Sequence, residues 1–367
     1  MRHGWKGLFV GLVGLMALSA QVAAHGYDAH WYHEVDKRSA WQSDLDARLS
    51  EVEARFAGDI GVYVQNLASG EAYAWRADRP WYLASLIKVP VAAEVLGEGV
   101  STRERLTLAQ SDYVDGAGPT NWHDPGTPIS VGYLLEHMIT VSDNTATDML
   151  IDRVGLDNVN QRARAMVAAN GGDPDALGPI SKLVGVRQGV YGELHPDARS
   201  LSGMDFIALR QSSVSQRPRA LAARLKVSPQ ALNQPDYHHA FDAYHATGEN
   251  VGTLRAFGDV LATLYRGVMP DLEGAPGDEV LALMANTTSG EARLKQGLGE
   301  AVRFAHKTGT QDRRSCDAGL AERDALPTTA WAVVVCTQGP DAVSEHERTL
   351  AEVGLALRRS GALGTPW

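Results

Sequence analysis

Hydrophobic side chains recur every three or four residues in several stretches of the chain, a spacing that places them on one face of an α-helix. In residues 35–56 the pattern is carried by Leu45, Leu49, Val52 and Phe56. It recurs in residues 85–96, 131–139, 146–154, 252–265, 278–284 and 341–360. We therefore predict helices in these segments.

Other segments form short apolar or alternating runs bounded by turn residues, which is typical of β-strands. These segments are residues 60–67, 71–77, 303–311, 315–322 and 328–337. The strands lie near both ends of the chain. We therefore predict an α+β fold, in which residues 35–84 and 301–360 form an antiparallel sheet flanked by helices and residues 85–300 form an all-helical lobe.

The middle of the chain is less regular. Residues 202–210 and 230–245 show helical spacing only in patches, and we interpret the segment 172–250 as an enlargement of the helical lobe. A long loop is predicted at residues 110–129. Long loops often border binding sites, so Tyr113 and Trp122 are candidate lining residues, with surface packing as the alternative.

Composition and charge narrow the class of protein. The 367 residues are 44% hydrophobic and 21% charged, and the formal net charge is -10. These values are ordinary for a globular protein, and the negative charge argues against nucleic acid or an anionic membrane as a partner. We expect a monomer.

Residues 1–24 have the pattern of a secretory signal. Arg2 and Lys6 supply positive charge, an apolar run follows, and Val22-Ala23-Ala24 offers a cleavage site of small residues. We expect a single domain over residues 25–367 that is periplasmic or secreted, without an integral membrane segment. An uncleaved anchor is the alternative.

Cys316 and Cys336 are the two cysteines of the chain. They lie in two predicted strands and are equidistant in sequence from Leu326, so an antiparallel hairpin would bring their sulfur atoms face to face. We predict a structural disulfide, which an exported protein can keep oxidised. Two buried free thiols are the alternative. A metal site is not expected, because two thiols alone do not complete a tetrahedral set.

Two short motifs carry candidate nucleophilic chemistry. Ser85 and Lys88 lie three residues apart at the start of a predicted helix, so a hydroxyl and an amine share one face. Lys88 can accept the serine proton if burial and a neighbouring cation, Lys307, lower its pKa. In the second motif, Ser142 can pass a proton to a leaving nitrogen and Asn144 can orient a substrate amide.

The third motif, Lys307-Thr308-Gly309-Thr310, lies on a predicted strand near the end of the chain. Its cation and hydroxyl groups suit a substrate carboxylate, and Gly309 would let a ligand approach the backbone closely. Arg313 and Arg314 follow it and could assist, with exposed turn arginines as the alternative. Asp143, between Ser142 and Asn144, is expected to stabilise the helix junction through side-chain hydrogen bonds.

With these three motifs in this order, the chain resembles the active-site-serine β-lactamases and penicillin-binding peptidases, most closely the class A β-lactamases. The resemblance implies that Ser85 is the acylated nucleophile, Lys88 its partner, Ser142 a proton shuttle and Asn144 a contact for the substrate amide. It implies that Lys307, Thr308 and Thr310 bind the substrate carboxylate. It also implies an oxyanion hole formed by the backbone N–H groups of Ser85 and Thr310, with no cofactor and no metal.

The chain departs from this resemblance between the second and third motifs, where 165 residues separate Ser142 from Lys307. Class A enzymes carry a Glu-x-x-Leu-Asn pattern in this interval, whose glutamate activates the deacylating water, and the pattern is missing here. Leu232-Asn233 retains only its last two residues. Glu193 and Asp236 are candidate replacements. The histidines His238, His239 and His245 are interpreted as the surface of the insertion rather than as metal ligands.

Three functions are therefore compared. The first is a β-lactamase, in which a β-lactam acylates Ser85 and water then releases it. The second is a penicillin-binding peptidase acting on D-Ala-D-Ala peptides, with slow deacylation. The third is a non-catalytic cell-wall-binding protein of the same fold, which the three intact motifs disfavour because a scaffold has no need of two lysines near a serine.

Overall fold

Helices and strands make up most of the chain that this computed structural model describes, residues 39–323 and 326–364. The strands are β1 (Asp59–Asn66), β2 (Ala72–Trp75), β3 (Trp81–Tyr82), β4 (Arg105–Thr107), β5 (Pro128–Ser130), β6 (Val251–Gly252), β7 (Val302–Gln311), β8 (Arg314–Arg323) and β9 (Leu326–Gln338). The helices are α1 (Ala40–Glu53), α2 (Lys88–Gly97), α3 (Val131–Thr140), α4 (Asn144–Val154), α5 (Leu156–Ala169), α6 (Leu183–Leu194), α7 (Gly203–Arg210), α8 (Arg217–Leu225), α9 (Tyr237–His245), α10 (Leu254–Arg266), α11 (Ala275–Ala285), α12 (Leu294–Leu298) and α13 (Val343–Ser360). The predicted signal, residues 1–24, lies outside the described residues. None of the helices in the described ranges has the length and apolar character that crossing a membrane requires.

The central sheet joins both ends of the described chain, in the order β2-β1-β9-β8-β7. All of its neighbouring strands are antiparallel, and β1 pairs with β9 so that Val62 lies opposite Val335. Successive side chains of a strand point to opposite faces, so Val62 and Val64 join one apolar cluster and Tyr63 joins another. The predicted α+β class and the origin of the sheet are confirmed.

Both faces of the sheet are covered by helices. Leu49 of α1 and Leu350 of α13 pack on one face together with Val333 and Val335 of β9. Helices α10 and α11 pack on the other face, where Val334 is buried. The unbroken apolar run in β9 follows from this double coverage, because neither face of the strand meets water.

The insertion, residues 172–250, contains the four helices α6 to α9 and has an apolar core of its own. Its buried side chains include Tyr191, Phe206 and Phe241, and the same core includes Tyr82 and Ala84. The helical patches predicted at residues 202–210 and 230–245 contain α7 and α9, although α9 begins seven residues later than predicted, whereas α6 and α8 were missed. Because Ala84 precedes Ser85 in the chain, the insertion packs directly beside the first motif.

The two cysteines face each other across the β8–β9 hairpin. Cys316 and Cys336 are direct partners in the strand register, and their sulfur atoms form a disulfide. The predicted bridge is confirmed, and the alternative of two free thiols is excluded.

Candidate active site

Ser85 lies in a single 3₁₀ turn, Ala84–Ile87, which runs directly into α2. Ala84 has a φ of 49°, in the left-handed region that residues other than glycine rarely occupy. Such backbone strain persists only where the surrounding structure holds it, and it is concentrated at functional sites. Pro90 is the third residue of α2, where its missing N–H removes no intrahelical bond. The predicted helix start is confirmed, with Ser85 in the turn that precedes the α-helix.

The first two motifs meet at the amine of Lys88, whose side chain is fully buried. Its Nζ donates to the carbonyl of Ser142 at 2.6 Å and lies 3.1 Å from the Ser142 hydroxyl and 2.8 Å from Oδ1 of Asn144. All three partners are neutral groups. The amine is therefore held by hydrogen bonds without a carboxylate in direct contact.

Burial lowers the pKa of Lys88 from 10.5 to about 7. The charges of Asp143 and Asp148 act against this change, and the positive charge of Arg187 adds to it. Arg187, from the insertion, is thus a cation that sequence analysis did not connect with Lys88, while the like-charge interaction between Lys88 and Lys307 lowers the pKa of Lys307. An amine with this pKa is about half neutral at pH 7, so it can accept a proton.

The second motif forms the junction between α3 and α4. Ser142 has a φ of 65°, a left-handed conformation. The carboxylate of Asp143 accepts a hydrogen bond from a backbone amide in the first turn of α4 at 2.9 Å and another from the Thr120 amide at 2.8 Å. The side-chain amide of Asn144 donates to the carbonyl of Asp115 at 2.7 Å. These hydrogen bonds agree with the structural role expected of Asp143. They hold the backbone that carries Ser142 and Asn144.

The third motif lies on β7 and presents two hydroxyl groups to a cavity, those of Thr308 and Thr310. Lys307 is fully buried and donates to the Thr308 carbonyl at 2.8 Å. Its pKa is well below the usual value because of burial, with the like charges of Lys88 and Arg293 adding to the effect. A ligand in the cavity therefore meets the two threonine hydroxyls before the lysine.

Arg293 belongs to the same site, although sequence analysis did not identify it. It is buried, lines the cavity, and donates to the Thr310 hydroxyl at 2.6 Å and to the carbonyls of Gly309 and Cys316 at 3.2 and 3.1 Å. The guanidinium thus supplies a cation beside the hydroxyls of β7. A single arginine just before the short helix α12 has no periodic signal that could have revealed it.

Gly309 lies where β7 packs so closely on a neighbouring turn that a side chain would not fit. A Cβ at this position would lie 2.7 Å from the carbonyl oxygen of Leu83, 3.1 Å from the Cβ of Ala84 and 3.2 Å from the amide nitrogen of Ser85. The close neighbour of the glycine is therefore the turn that carries Ser85, and the approach of a ligand to the Gly309 backbone stays a prediction. The absence of a side chain lets β7 pack against that turn and joins the first and third motifs.

A cavity of about 590 Å³ connects the three motifs. Ser85, Ser142, Asn144, Thr308 and Thr310 line it. The insertion contributes a further wall through Leu183, Val186, Arg187, Arg210, Val214, Arg217, Tyr237 and His238. The insertion, whose hydrophobic pattern is the least regular in the sequence, therefore borders the site directly.

The two carboxylates that were predicted to replace the missing glutamate are not brought to this cavity. Glu193 lies ten residues after the start of α6, or about 15 Å along the helix axis, and its carboxylate pairs with Arg199 at 2.7 Å. Asp236 caps α9 and holds the ring of His239 at 2.9 Å. Both carboxylates are instead bound to other side chains, which the sequence could not show, because an acidic residue does not reveal whether its partner is a substrate or another side chain.

Two other carboxylates lie close to the motifs, and both are engaged. Asp115 lines the cavity and is hydrogen-bonded to Arg187. Asp148 is buried and accepts the backbone amides of Leu183 and Val184 at 2.6 and 2.9 Å, at the start of α6. Burial raises the pKa of Asp148 to about 6. These two residues connect the second motif to the insertion.

The loop at residues 110–129 borders the cavity, but the residues that line the cavity are not the predicted Tyr113 and Trp122. Asp115, Gly116 and Ala117 line the cavity. Tyr113 is buried and its hydroxyl donates to a backbone carbonyl, whereas the Trp122 side chain is 84% exposed and lies outside the lining. The loop was correctly associated with the site, but the aromatic residues were the wrong signal.

The histidines of the insertion bind separate partners. His238 contacts Asp312 at 2.8 Å, His239 contacts Asp236, and His245 lies 3.2 Å from Arg314. Arg313 and Arg314 also line the cavity, and both pair with Asp242 of α9. These pairs connect α9 to the turn between β7 and β8, so the two arginines are more than exposed turn residues.

Comparison with known proteins agrees with this geometry. A family model described as the beta-lactamase enzyme family matches residues 44–175 and 203–360. A curated beta-lactamase of Mycobacterium tuberculosis is 31% identical over 114 residues, which cover 31% of this chain and 37% of that protein. The chain thus aligns with little more than a third of the length of this curated relative. The unmatched residues 176–202 contain α6 and therefore Arg187.

Solved structures resemble the fold over most of the chain. A beta-lactamase from Sphaerobacter thermophilus has a TM-score of 0.61 and 20% identity, covering 89% of this chain and 98% of that one. A mutant of PBP-A, solved as an acyl-enzyme complex with penicillin G, has a TM-score of 0.59 and 21% identity, covering 86% and 94%. Because the family model matches most of the sequence and the three motifs meet in one cavity, the chain belongs to the beta-lactamase enzyme family.

Proposed function

We propose that the protein is a serine hydrolase of the β-lactamase type, which opens β-lactam amides through an acyl-Ser85 intermediate. One observation carries this proposal. The buried amine of Lys88, with a pKa of about 7, is hydrogen-bonded to Ser142 and Asn144 and lies one turn from Ser85 in sequence. Burial of a lysine amine reduces the stability of the fold. A functional need for a neutral base near Ser85 explains why the chain has a lysine at this position.

The acylation step follows from these groups. The neutral amine of Lys88 takes the proton of the Ser85 hydroxyl, and Oγ attacks the carbonyl carbon of the substrate amide. A new C–O bond forms, the C–N bond breaks, and the leaving nitrogen receives a proton through the hydroxyl of Ser142. Lys88 passes the proton that it took from Ser85 to the Ser142 hydroxyl, 3.1 Å away, as that hydroxyl gives its own proton to nitrogen, so the proton count balances.

Substrate binding is proposed on both sides of Ser85. Asn144 would hold the acyl amide, while Thr308, Thr310 and Arg293 would hold the substrate carboxylate. The charge of that carboxylate would favour the protonated form of Lys307, whose pKa is otherwise lowered by burial. The amide of Ser85 is close to the β7 backbone at Gly309. That packing supports an oxyanion hole formed by the backbone N–H groups of Ser85 and Thr310.

A second candidate function, a penicillin-binding peptidase with slow deacylation, is favoured by a different observation. Within residues 39–323 and 326–364, the hydrogen bonds of Lys88 go to a backbone carbonyl, a hydroxyl and a side-chain amide rather than to a carboxylate, and Asp115 is paired with Arg187. Release of the acyl group needs a base that activates water, and a carboxylate in a salt bridge is a poor base. The acyl-enzyme of PBP-A with penicillin G supports a β-lactam as the acylating ligand in either case.

We also propose that the protein is exported after removal of residues 1–24 and acts as a single catalytic domain. The support is the amino-terminal signal pattern and a disulfide that an oxidising compartment would preserve.

A chromogenic cephalosporin separates the candidate functions when turnover and intact mass are followed together. Sustained turnover is the result expected of a β-lactamase. A burst equal to the enzyme concentration with a lasting adduct identifies the peptidase. The absence of both turnover and adduct would refute the serine hydrolase and favour the non-catalytic cell-wall-binding protein. Ser85→Ala is the matched control and should show neither signal.

A further inference from the structure

The cavity has a second cationic end, formed by residues of the insertion. Arg187 comes from α6, Arg210 is the last residue of α7, and Arg217 is the first residue of α8. This end is distinct from the group formed by Arg293 and the threonines of β7. Three helices that are packed on one apolar core thus direct guanidinium groups to the same cavity.

The cationic end lies beside Asn144, the residue proposed to hold the acyl amide. A Cβ on Gly116 would lie 2.2 Å from Nδ2 of Asn144 and 3.5 Å from Nη1 of Arg210, so both groups flank the same glycine. Asp115, the preceding residue, connects Asn144 to Arg187 through its carbonyl and its carboxylate. The position is therefore on the acyl side of Ser85.

The positive charge at this end exceeds the negative charge that faces it. Asp115 is hydrogen-bonded to Arg187, and it lies 3.9 Å from Arg210, whose side chain is 50% exposed. Arg217 lies over the ring of Tyr237 at 5.0 Å, and its buried Nε has no hydrogen-bond partner. In the described part of the chain, no ion pair joins Arg217 to a carboxylate.

The other carboxylates that line the cavity are matched elsewhere. Asp312 contacts His238 at 2.8 Å, and Asp341 lies 3.9 Å from His238 and 4.0 Å from Arg313. Neither carboxylate is paired with Arg210 or Arg217. These two guanidinium groups therefore keep donors available for a ligand, and a carboxylate is the group that matches their charge and planar geometry.

We propose that Arg210 and Arg217 bind a carboxylate on the acyl side chain of the substrate. This inference rests on the proposed function. The preferred acyl donors then carry two anionic groups, one bound by Arg293 and the β7 threonines and one bound by the insertion. The chemistry fits a β-lactam with an anionic side chain and also a cell-wall peptide with a free side-chain carboxylate.

The test compares second-order acylation constants for three penicillins with the same ring system. Carbenicillin has a carboxylate on its side chain, benzylpenicillin is neutral there, and ampicillin carries an ammonium group. We expect carbenicillin to acylate Ser85 at least about tenfold faster than benzylpenicillin, with ampicillin slowest. Added salt should reduce the ratio, since a half-exposed arginine is screened.

Variants link the preference to the two arginines. In Arg210→Gln, and in the double variant with Arg217→Gln, the ratio of carbenicillin to benzylpenicillin should fall toward one. Arg219→Gln, an exposed arginine on α8 outside the cavity lining, should leave the ratio unchanged. The single Arg210 variant keeps the test valid if loss of the Arg217–Tyr237 contact prevents folding.

A ratio near one in the wild type would overturn the proposal, and so would a ratio that persists in Arg210→Gln. Failure of all three penicillins to acylate would instead refute the proposed function. A D-Ala-D-Ala peptide with a side-chain carboxylate and its amide, used as competitors of benzylpenicillin, distinguish the source. Stronger competition by the acid assigns the site to cell-wall peptides, and equal competition with a carbenicillin preference assigns it to β-lactams.

Discussion

The pKa of Lys88 gives the sharpest prediction about acylation. Burial lowers it from 10.5 to about 7, so at pH 7 about half of the molecules hold a neutral amine, against roughly three in ten thousand for an ordinary lysine. The gain in competent base is therefore about 10³-fold. Because the neutral amine is the active form, acylation should be fast above pH 7 and slow below it.

The assay is single-turnover acylation by a chromogenic cephalosporin between pH 5 and 9. The rate should rise about tenfold per pH unit up to pH 7 and then level off. Lys88→Met should lower the plateau by about 10³-fold and remove the inflection, whereas Lys295→Met, at a partly exposed lysine paired with Glu291, should do neither. A flat profile, or a rate that still rises tenfold per unit at pH 9, would refute a role for Lys88 as the neutral base.

The same burial has a consequence for stability. The unfolded chain binds a proton at Lys88 up to pH 10.5, but the folded chain releases it near pH 7, so the unfolded state binds more protons between these values. The folded state therefore gains stability as the pH rises through this range. Relative to Lys88→Met, the wild type should gain about 2–3 kcal/mol in free energy of unfolding between pH 7 and 9. Urea titrations at both pH values measure it, and a constant difference would contradict the burial argument.

Three further predictions concern the frame of the site. Gly309→Ala should lower the free energy of unfolding by about 1–3 kcal/mol and slow acylation by about a hundredfold, because the added Cβ would press on the carbonyl of Leu83. A normal acylation rate in this variant would contradict the packing argument. Replacing Cys316 and Cys336 together by alanine should lower the free energy of unfolding, measured in urea, by about 3 kcal/mol, because the disulfide closes a loop with a sequence separation of 20. An unchanged urea midpoint would argue against a stabilising disulfide. Asp143→Ala should cost about 0.5–2 kcal/mol through loss of the α4 cap and should also reduce acylation; a loss of activity at full stability would indicate a chemical role instead.

The motifs were predictable because each is short and chemically distinctive. Ser85 and Lys88 are three residues apart, and this local spacing survives in the fold as the turn before α2. The disulfide was also predictable, since the symmetric positions of Cys316 and Cys336 about a turn determine the register of a hairpin. In these cases the relevant distances are local in sequence or follow from strand pairing.

The insertion was not predictable to the same degree. Helix α6 contains Gly185, Gly189 and Gly192, which have low helix propensity and interrupt the apolar pattern. Its fold depends on distant contacts, such as the pairing of Arg187 with Asp115, 72 residues away. A long-range pair leaves no periodic trace in the sequence, and Arg293 was missed for the same reason.

Acylation of Ser85 is the central claim, and peptide mapping tests it most directly. The mature protein is mixed with benzylpenicillin, quenched with acid within the first turnover so that a short-lived acyl-enzyme is trapped, digested and examined by mass spectrometry. We expect one added penicillin per chain, on the peptide that contains Ser85, and no addition in Ser85→Ala. An adduct on another residue, or an adduct that persists in Ser85→Ala, would contradict the account.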